Sequence, residues 1–197
     1  GAHLDAINRG ALGQVTAICS SRNLDAAELS ARHGCPLRVY ADFGALLADP
    51  TLHVISICSY HKQHPEQILA AARAGKHIIA EKPLALSLSG LRAVAQAVRA
   101  AGVKFCLCFE LRFSAQFRVI KSLLDRGLLG RLHYGEIDYY HGIGPWYREF
   151  EWCTTMAECG SSLLEAGCHA MDALLLCLPG EVEEVFSYGA KSSHPTF

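Results

Sequence analysis

Short apolar runs alternate with segments of helical spacing about every 30 residues through the first 109 positions, and few architectures accommodate that rhythm. Strands are expected at residues 14–19, 37–40, 53–58, 76–80 and 103–109, the third of them an apolar, β-branched run suited to the centre of a sheet. Helices are expected at residues 2–8, 23–33, 42–48, 65–74 and 88–101. The punctuation agrees with this reading. Gly10, Gly34 and Gly75 follow helix ends, Pro65 stands in a first helical turn, and Asp49-Pro50 closes the third helix. Residues 1–109 are therefore expected to form an α/β, doubly wound parallel sheet of the dinucleotide-binding type.

After Phe109 the rhythm changes. Residues 114–126 read as an amphipathic helix stopped by Gly127, and residues 131–141 alternate in the manner of an antiparallel strand. A loop bearing Trp146, Tyr147 and Trp152 leads to a helix at 162–178, closed by Pro179-Gly180, and residues 182–188 read as a further strand. Residues 110–197 are thus expected to begin an α+β domain with an open antiparallel sheet. The chain reads as a fragment, since it opens inside a helical pattern without an initiator methionine and stops before that sheet is complete.

Composition bounds the partners. Of the 197 residues, 51% are hydrophobic and 19% charged, enough apolar mass for a substantial core. A formal net charge of −1 supplies no broad basic field for nucleic acid. No apolar run approaches the roughly 20 residues of a membrane span. The nine cysteines sit mostly inside apolar runs such as Ile18-Cys19, Ile57-Cys58 and Leu176-Cys177, as reduced core thiols in a cytoplasmic setting do. No CxxC pair occurs, so no zinc site is expected from ligand spacing.

Two places carry chemistry. Glu81-Lys82-Pro83 stands directly after the apolar run at residues 76–80, and a lysine leaving a buried strand can be held partly desolvated where α/β enzymes place their reactive groups. A surface ion pair closed by proline is the simpler reading of the same residues. Further on, Glu165, His169 and Asp172 fall at i, i+4 and i+7, which puts all three on one helix face. The helix is apolar nearly all round, with Leu163, Leu164, Met171, Leu174, Leu175 and Leu176, so its polar residues must find partners.

Taken together these residues resemble the glucose-fructose oxidoreductase, inositol dehydrogenase and rhizopine-catabolism family, written Gfo/Idh/MocA. Ala74-Gly75-Lys76-His77 leading into Glu81-Lys82-Pro83 is the most specific match, with Ser59-Tyr60-His61-Lys62-Gln63-His64 one strand earlier. Arg112-Phe113, Gly127, Gly130 and Gly167-Cys168-His169-Ala170-Met171-Asp172 follow in the family's order. The resemblance spans essentially the whole chain. It implies a Rossmann-type nucleotide domain and a second domain that supplies much of the substrate site and an oligomer interface.

The resemblance also implies roles. Lys82 would hydrogen-bond the reacting hydroxyl and stabilise developing alkoxide, and His169 would act as general base in oxidation of a secondary alcohol of a sugar, cyclitol or related polyol. Glu165 stands where the family commonly has aspartate, and would orient His169 or reach the substrate. Cofactor contacts would come from Ser20, Ser21, Arg22, Ser59, Tyr60, His61, His64, Glu81, Lys82, Pro83 and Arg112. A glycoside-cleaving enzyme that uses tightly held NAD and a nucleotide-binding sensor without activity are the alternatives.

Departures from the family pattern sharpen the expectations. The first strand and its glycine-rich turn are absent, with Gly1 as a last remnant, which removes the principal cradle for a pyrophosphate. Glu110 stands where small amides are frequent. After the strand at residues 14–19, Ser20-Ser21-Arg22-Asn23 offers an arginine and no acid, which suits a 2′-phosphate and favours NADP over NAD. His61 and His64 are expected to touch the nicotinamide ribose or to cap the next helix. His3, His33, His133 and His194 carry no supporting context. Trp146, Tyr147 and Trp152 form either a wall for a sugar ring or packing.

Overall fold

The computed structural model describes residues 2–10, 13–147 and 150–189. Gly1 and His194 lie outside the described residues. The chain divides into two compact units, the first comprising Gly1–Cys58, His64–Ala80 and Ser89–Cys106, the second Ser59–Gln63, Glu81–Leu88 and Leu107–Phe197. No helix among the described residues is long and apolar enough to cross a membrane.

In the first unit, α1 (Ala2–Arg9), β1 (Ala17–Cys19), α2 (Ala26–His33), β2 (Arg38–Tyr40), α3 (Phe43–Ala48) and β3 (Val54–Ile57) follow one another in the expected alternation. The series continues through α4 (His64–Arg73), β4 (His77–Ala80), α5 (Leu88–Ala101) and β5 (Phe105–Leu107). Strands β1 and β2 pair in parallel with Ile18 opposite Val39, and β3 pairs in parallel with β4 with Ile55 opposite Ile78. β5 adds to the far side of β4. Parallel strands flanked by helices are the architecture of a Rossmann-type α/β fold.

The ladder is not continuous. It consists of a pair, β1-β2, and a triplet, β3-β4-β5, with no hydrogen-bonded link between β1 and β3 among the described residues. The core of the triplet is formed by Ile55, Ile57, Ile78 and Ala80 from the strands and Ile68, Ala71, Ala72 and Val94 from α4 and α5, all buried. Ile68 and Ala71 lie three apart and face inward together, as helical spacing requires.

Local chemistry sets the boundaries. α2 begins at Ala26 rather than Asn23, because the Asp25 carboxylate accepts from the backbone N–H groups of Ala27 and Glu28 at 2.7 and 2.9 Å. Its end is Gly34 at φ 65°, the left-handed position that glycine takes without steric cost. Asp42 caps α3 in the same way through the N–H of Ala45. Lys76 is buried, and its ammonium donates to the carbonyls of Asp49 and Leu52, each at 2.7 Å. That contact ties the start of β4 to the loop before β3.

The second unit departs further from expectation. α6 (Ala115–Asp125), capped by Ser114, matches the reading, but the aromatic loop contains two short helices, α7 (Phe150–Cys153) and α8 (Met156–Cys159). The helix expected at 162–178 is a π-helical turn at Leu163–Gly167 followed by α9 (Cys168–Cys177). Residues 131–141 and 182–188 form no strand. Alternation marks a chain that can present two faces, but a strand exists only when a neighbour completes its hydrogen-bond ladder, and none does so among the described residues.

Candidate active site

The Glu81-Lys82-Pro83 turn, the His61–Gln63 turn of 3₁₀ type and the π turn at Leu163–Gly167 all belong to the second unit, where Lys82, His61 and Glu165 meet. Lys82 precedes a cis peptide bond to Pro83, and its backbone N–H donates to the Glu81 carboxylate at 3.2 Å. Its ammonium donates to the backbone carbonyl of Glu165 at 2.8 Å and stands 3.6 Å from Glu165 Oε1. With the Lys82 side chain only 18% exposed and that of Glu165 5% exposed, the pair is held in one place with little solvent around it.

Glu165 is the hub of this region. Its Oε2 accepts from the Cys159 thiol at 3.1 Å and lies 3.3 Å from His61 Nδ1, while Cys159 Sγ lies 3.4 Å from the same ring nitrogen. Burial pushes the Cys159 thiol well above its ordinary pKa, and the hydrogen bond to Glu165 and its negative charge push it further. The thiol stays protonated and donates. Trp152 packs its ring against both Tyr60 and His61, each with centroids 5.0 Å apart in edge-on geometry. Trp152 therefore serves as packing, whereas Trp146 is 78% exposed.

Of the two roles expected for Glu165, orientation of His169 is not what forms. The π turn at Leu163–Gly167 breaks the regular α-helical spacing that would have stacked i over i+4, and the Glu165 carboxylate turns to His61, Cys159 and Lys82 instead. Among the described residues the carboxylate beside His169 is that of Glu110, its Oε2 3.4 Å from Nδ1 but misaligned for a hydrogen bond. His169 is buried, packed edge-on to Phe109 at 6.0 Å and tilted against Tyr139 at 6.4 Å. Among the described residues its Nδ1 has no hydrogen-bond partner, so a buried polar atom there is left for a further group.

Asp172, one turn on, takes a third partner. Arg112 Nε and Nη2 donate to its two carboxylate oxygens at 2.7 and 2.6 Å, a bidentate clamp that also raises the arginine's pKa. Arg112, expected at the cofactor, thus has two of its donors engaged by Asp172. The three acids and bases that share one face in the sequence are all buried, yet Glu165 turns to His61, Cys159 and Lys82 while His169 and Asp172 both face the Glu110–Phe113 segment.

The remaining expected cofactor residues divide between the units. In the first, the backbone N–H of Ser20 donates to the Tyr40 carbonyl at 3.1 Å and Ser20 Oγ accepts from the N–H of Arg22 at 3.1 Å, so that Ser20-Ser21-Arg22 turns at the end of β1 with Arg22 exposed. His64 there is the fully buried first residue of α4. In the second unit Ser59 and Glu81 are half-buried, Tyr60 is exposed and Pro83 is buried. The sequence reading missed Cys159 altogether, because it lies in an aromatic segment with no ligand spacing around it.

Comparisons with known proteins identify the family. Residues 2–109 match the GFO_IDH_MocA model, described as an oxidoreductase family with an NAD-binding Rossmann fold, and residues 117–196 match its GFO/IDH/MocA C-terminal domain. An uncharacterized oxidoreductase, YrbE, of Bacillus subtilis is 31% identical over 81% of this chain and 45% of its own length. The myo-inositol 2-dehydrogenase of Thermotoga maritima is 28% identical over 78% of this chain and 44% of its own. Levoglucosan dehydrogenase, solved in complex with NADH and levoglucosan, superposes with a TM-score of 0.69 at 26% identity, covering 84% of this chain and 45% of that one. The chain spans about half the length of the curated relatives it matches.

Proposed function

This chain belongs to the Gfo/Idh/MocA family of oxidoreductases, and from that premise we propose that it is part of a nicotinamide-dependent dehydrogenase acting on a secondary alcohol of a sugar, cyclitol or related polyol. The observation that carries the reading is the Lys82 ammonium, fixed on buried Glu165 in the same unit as buried His169 with its unsatisfied Nδ1. Relatives named for inositol and levoglucosan support the substrate class.

In this reading Lys82 donates a hydrogen bond to the reacting hydroxyl and stabilises the negative charge that grows on its oxygen. His169 takes the hydroxyl proton. Glu165 holds Lys82 in place through its carbonyl and keeps the ammonium charge compensated, a positioning role in place of the orientation of His169. When bound, the nicotinamide accepts the hydride, which is chemistry of the cofactor. NADP is the proposed partner over NAD because of Arg22. Ser20, Ser21, Arg22 and His64 of the first unit, and Ser59, Tyr60, His61, Glu81, Lys82, Pro83 and Arg112 of the second, are the proposed contacts.

The break between β1 and β3 falls where a doubly wound order places its first strand, which supports the reading that this strand is supplied from outside residues 1–197. Residues 131–141 and 182–188 would pair once an antiparallel sheet of residues 110–197 is complete, and that sheet would serve a homo-oligomer interface. A cytoplasmic location rests on the free thiols alone.

The test is nicotinamide reduction by the full-length protein with NADP and NAD against a panel of sugars and cyclitols. Lys82→Met is expected to lose turnover by about 100-fold or more while still binding nucleotide. Tight nucleotide binding with no turnover on any substrate would sink the dehydrogenase reading and leave the glycosidase or sensor.

A further inference from the structure

His61, Cys159 and Glu165 present three different donor atoms to one another inside the second unit, and dehydrogenase chemistry does not require a thiol among them. All three residues are buried, with relative exposures of 6%, 1% and 4%, and their donor atoms lie within 4.8 Å of one another. Each comes from a separate segment: the His61–Gln63 turn, the last residue of α8 and the π turn at Leu163–Gly167. Such convergence is invisible to spacing motifs such as CxxC.

We propose that His61 Nδ1, Cys159 Sγ and Glu165 Oε2 form a binding site for a divalent cation of the zinc class. The metal–ligand lengths of zinc, about 2.3 Å to sulfur and about 2.0–2.2 Å to nitrogen or oxygen, give a tetrahedral site ligand-to-ligand edges of about 3.3–3.6 Å. The observed edges are 3.4 Å from sulfur to nitrogen, 3.1 Å from sulfur to oxygen and 3.3 Å from nitrogen to oxygen. A cation therefore enters the triangle with shifts of a few tenths of an ångström.

The donor chemistry agrees. Imidazole, thiolate and carboxylate are all ligands zinc accepts, and three protein donors leave a fourth position for water. The thiolate and the carboxylate balance the two charges of the ion. Glu165 divides its labour, with Oε2 facing the histidine and cysteine and Oε1 facing Lys82, so a metal need not displace the lysine. In the metal-free state the thiol proton holds the same triangle by donating to Oε2. Binding exchanges that proton for the cation and releases it to solvent, one proton per ion.

The experiment uses the full chain and Zn²⁺ alone, followed by titration calorimetry in two buffers of different ionisation enthalpy. One tight ion per chain with about one proton released is expected, and Cys159→Ser and His61→Ala should each weaken it by more than about 100-fold, beyond what loss of an outer-shell partner does. Unchanged affinity and stoichiometry in both variants would assign the binding to other thiols and overturn the site. Should either variant fail to fold, X-ray absorption on the zinc-loaded wild type decides: one sulfur with nitrogen and oxygen neighbours supports the site, and no sulfur or several sulfurs refutes it. Neither readout depends on dehydrogenase activity.

Discussion

Asp172 shows how a single side chain changes meaning between sequence and structure. Read as one of three ionisable residues on a helix face, it is instead the buried anchor of Arg112, held by two hydrogen bonds. Removing it leaves an arginine 45% exposed, so water recovers part of what is lost. Asp172→Ala is expected to lower stability by about 1–3 kcal/mol, measured by urea unfolding, with Arg112→Ala the more damaging of the two because it leaves a buried carboxylate without its counter-charge. A loss below about 0.5 kcal/mol would make the clamp incidental. Arg22 carries a different kind of prediction. Exposed on the turn after β1, it has no packing duty, so Arg22→Ala should leave the melting temperature in place and raise KM for NADP more than KM for NAD. Equal effects on the two cofactors would remove Arg22 from the phosphate. Lys82, His169 and Glu165 were legible from residue type and order, whereas Cys159 and the Glu110–His169 approach were not, because each depends on segments that meet only in three dimensions.

At the scale of elements, the periodic segments of the first unit were readable because helix and strand periods are written locally. β3, β4 and α5 fall where apolar spacing put them, and boundary shifts trace to side chains that outcompete propensity. Asp25 is the clearest case. It satisfies two N–H groups that no intrahelical carbonyl reaches, and it moves the start of α2 three residues past Asn23. Asp25→Ala should cost about 1 kcal/mol in unfolding experiments, and Asp25→Asn much less; equal losses would mean that charge rather than capping matters. What local pattern could not disclose is the π turn before α9, since an extra residue in one turn leaves no signature in composition. That turn redirects Glu165. Likewise, alternation at residues 131–141 reports two faces and says nothing of whether a neighbouring strand is present.

Across the whole molecule, a buried carboxylate in each unit gathers several polar groups, from distant segments in the second unit and from neighbouring ones in the first. In the second unit it is Glu165; in the first it is Asp49, whose oxygens accept from the Tyr40 hydroxyl at 2.8 Å and from the Thr51 hydroxyl and N–H at 2.7 and 2.8 Å, with Arg38 at 2.5 Å. Hydrogen bonds from Thr51 and Tyr40, with the Arg38 charge beside them, hold the Asp49 carboxyl well below the usual carboxylate range. A folded pKa below the unfolded one means that the unfolded chain binds the proton first as pH falls. The stabilisation is therefore fully present above the ordinary aspartate value of about 3.9 and drains away below it, towards the folded value. Asp49→Asn keeps the shape but removes the charge, so it should be less stable than the parent at neutral pH. The gap between the two should narrow steadily below about pH 4, read from urea midpoints at a series of pH values. A gap that stays constant from neutral pH down to about pH 3 would show that Asp49 titrates alike in folded and unfolded chains, and the node would then be a packing feature rather than an electrostatic one.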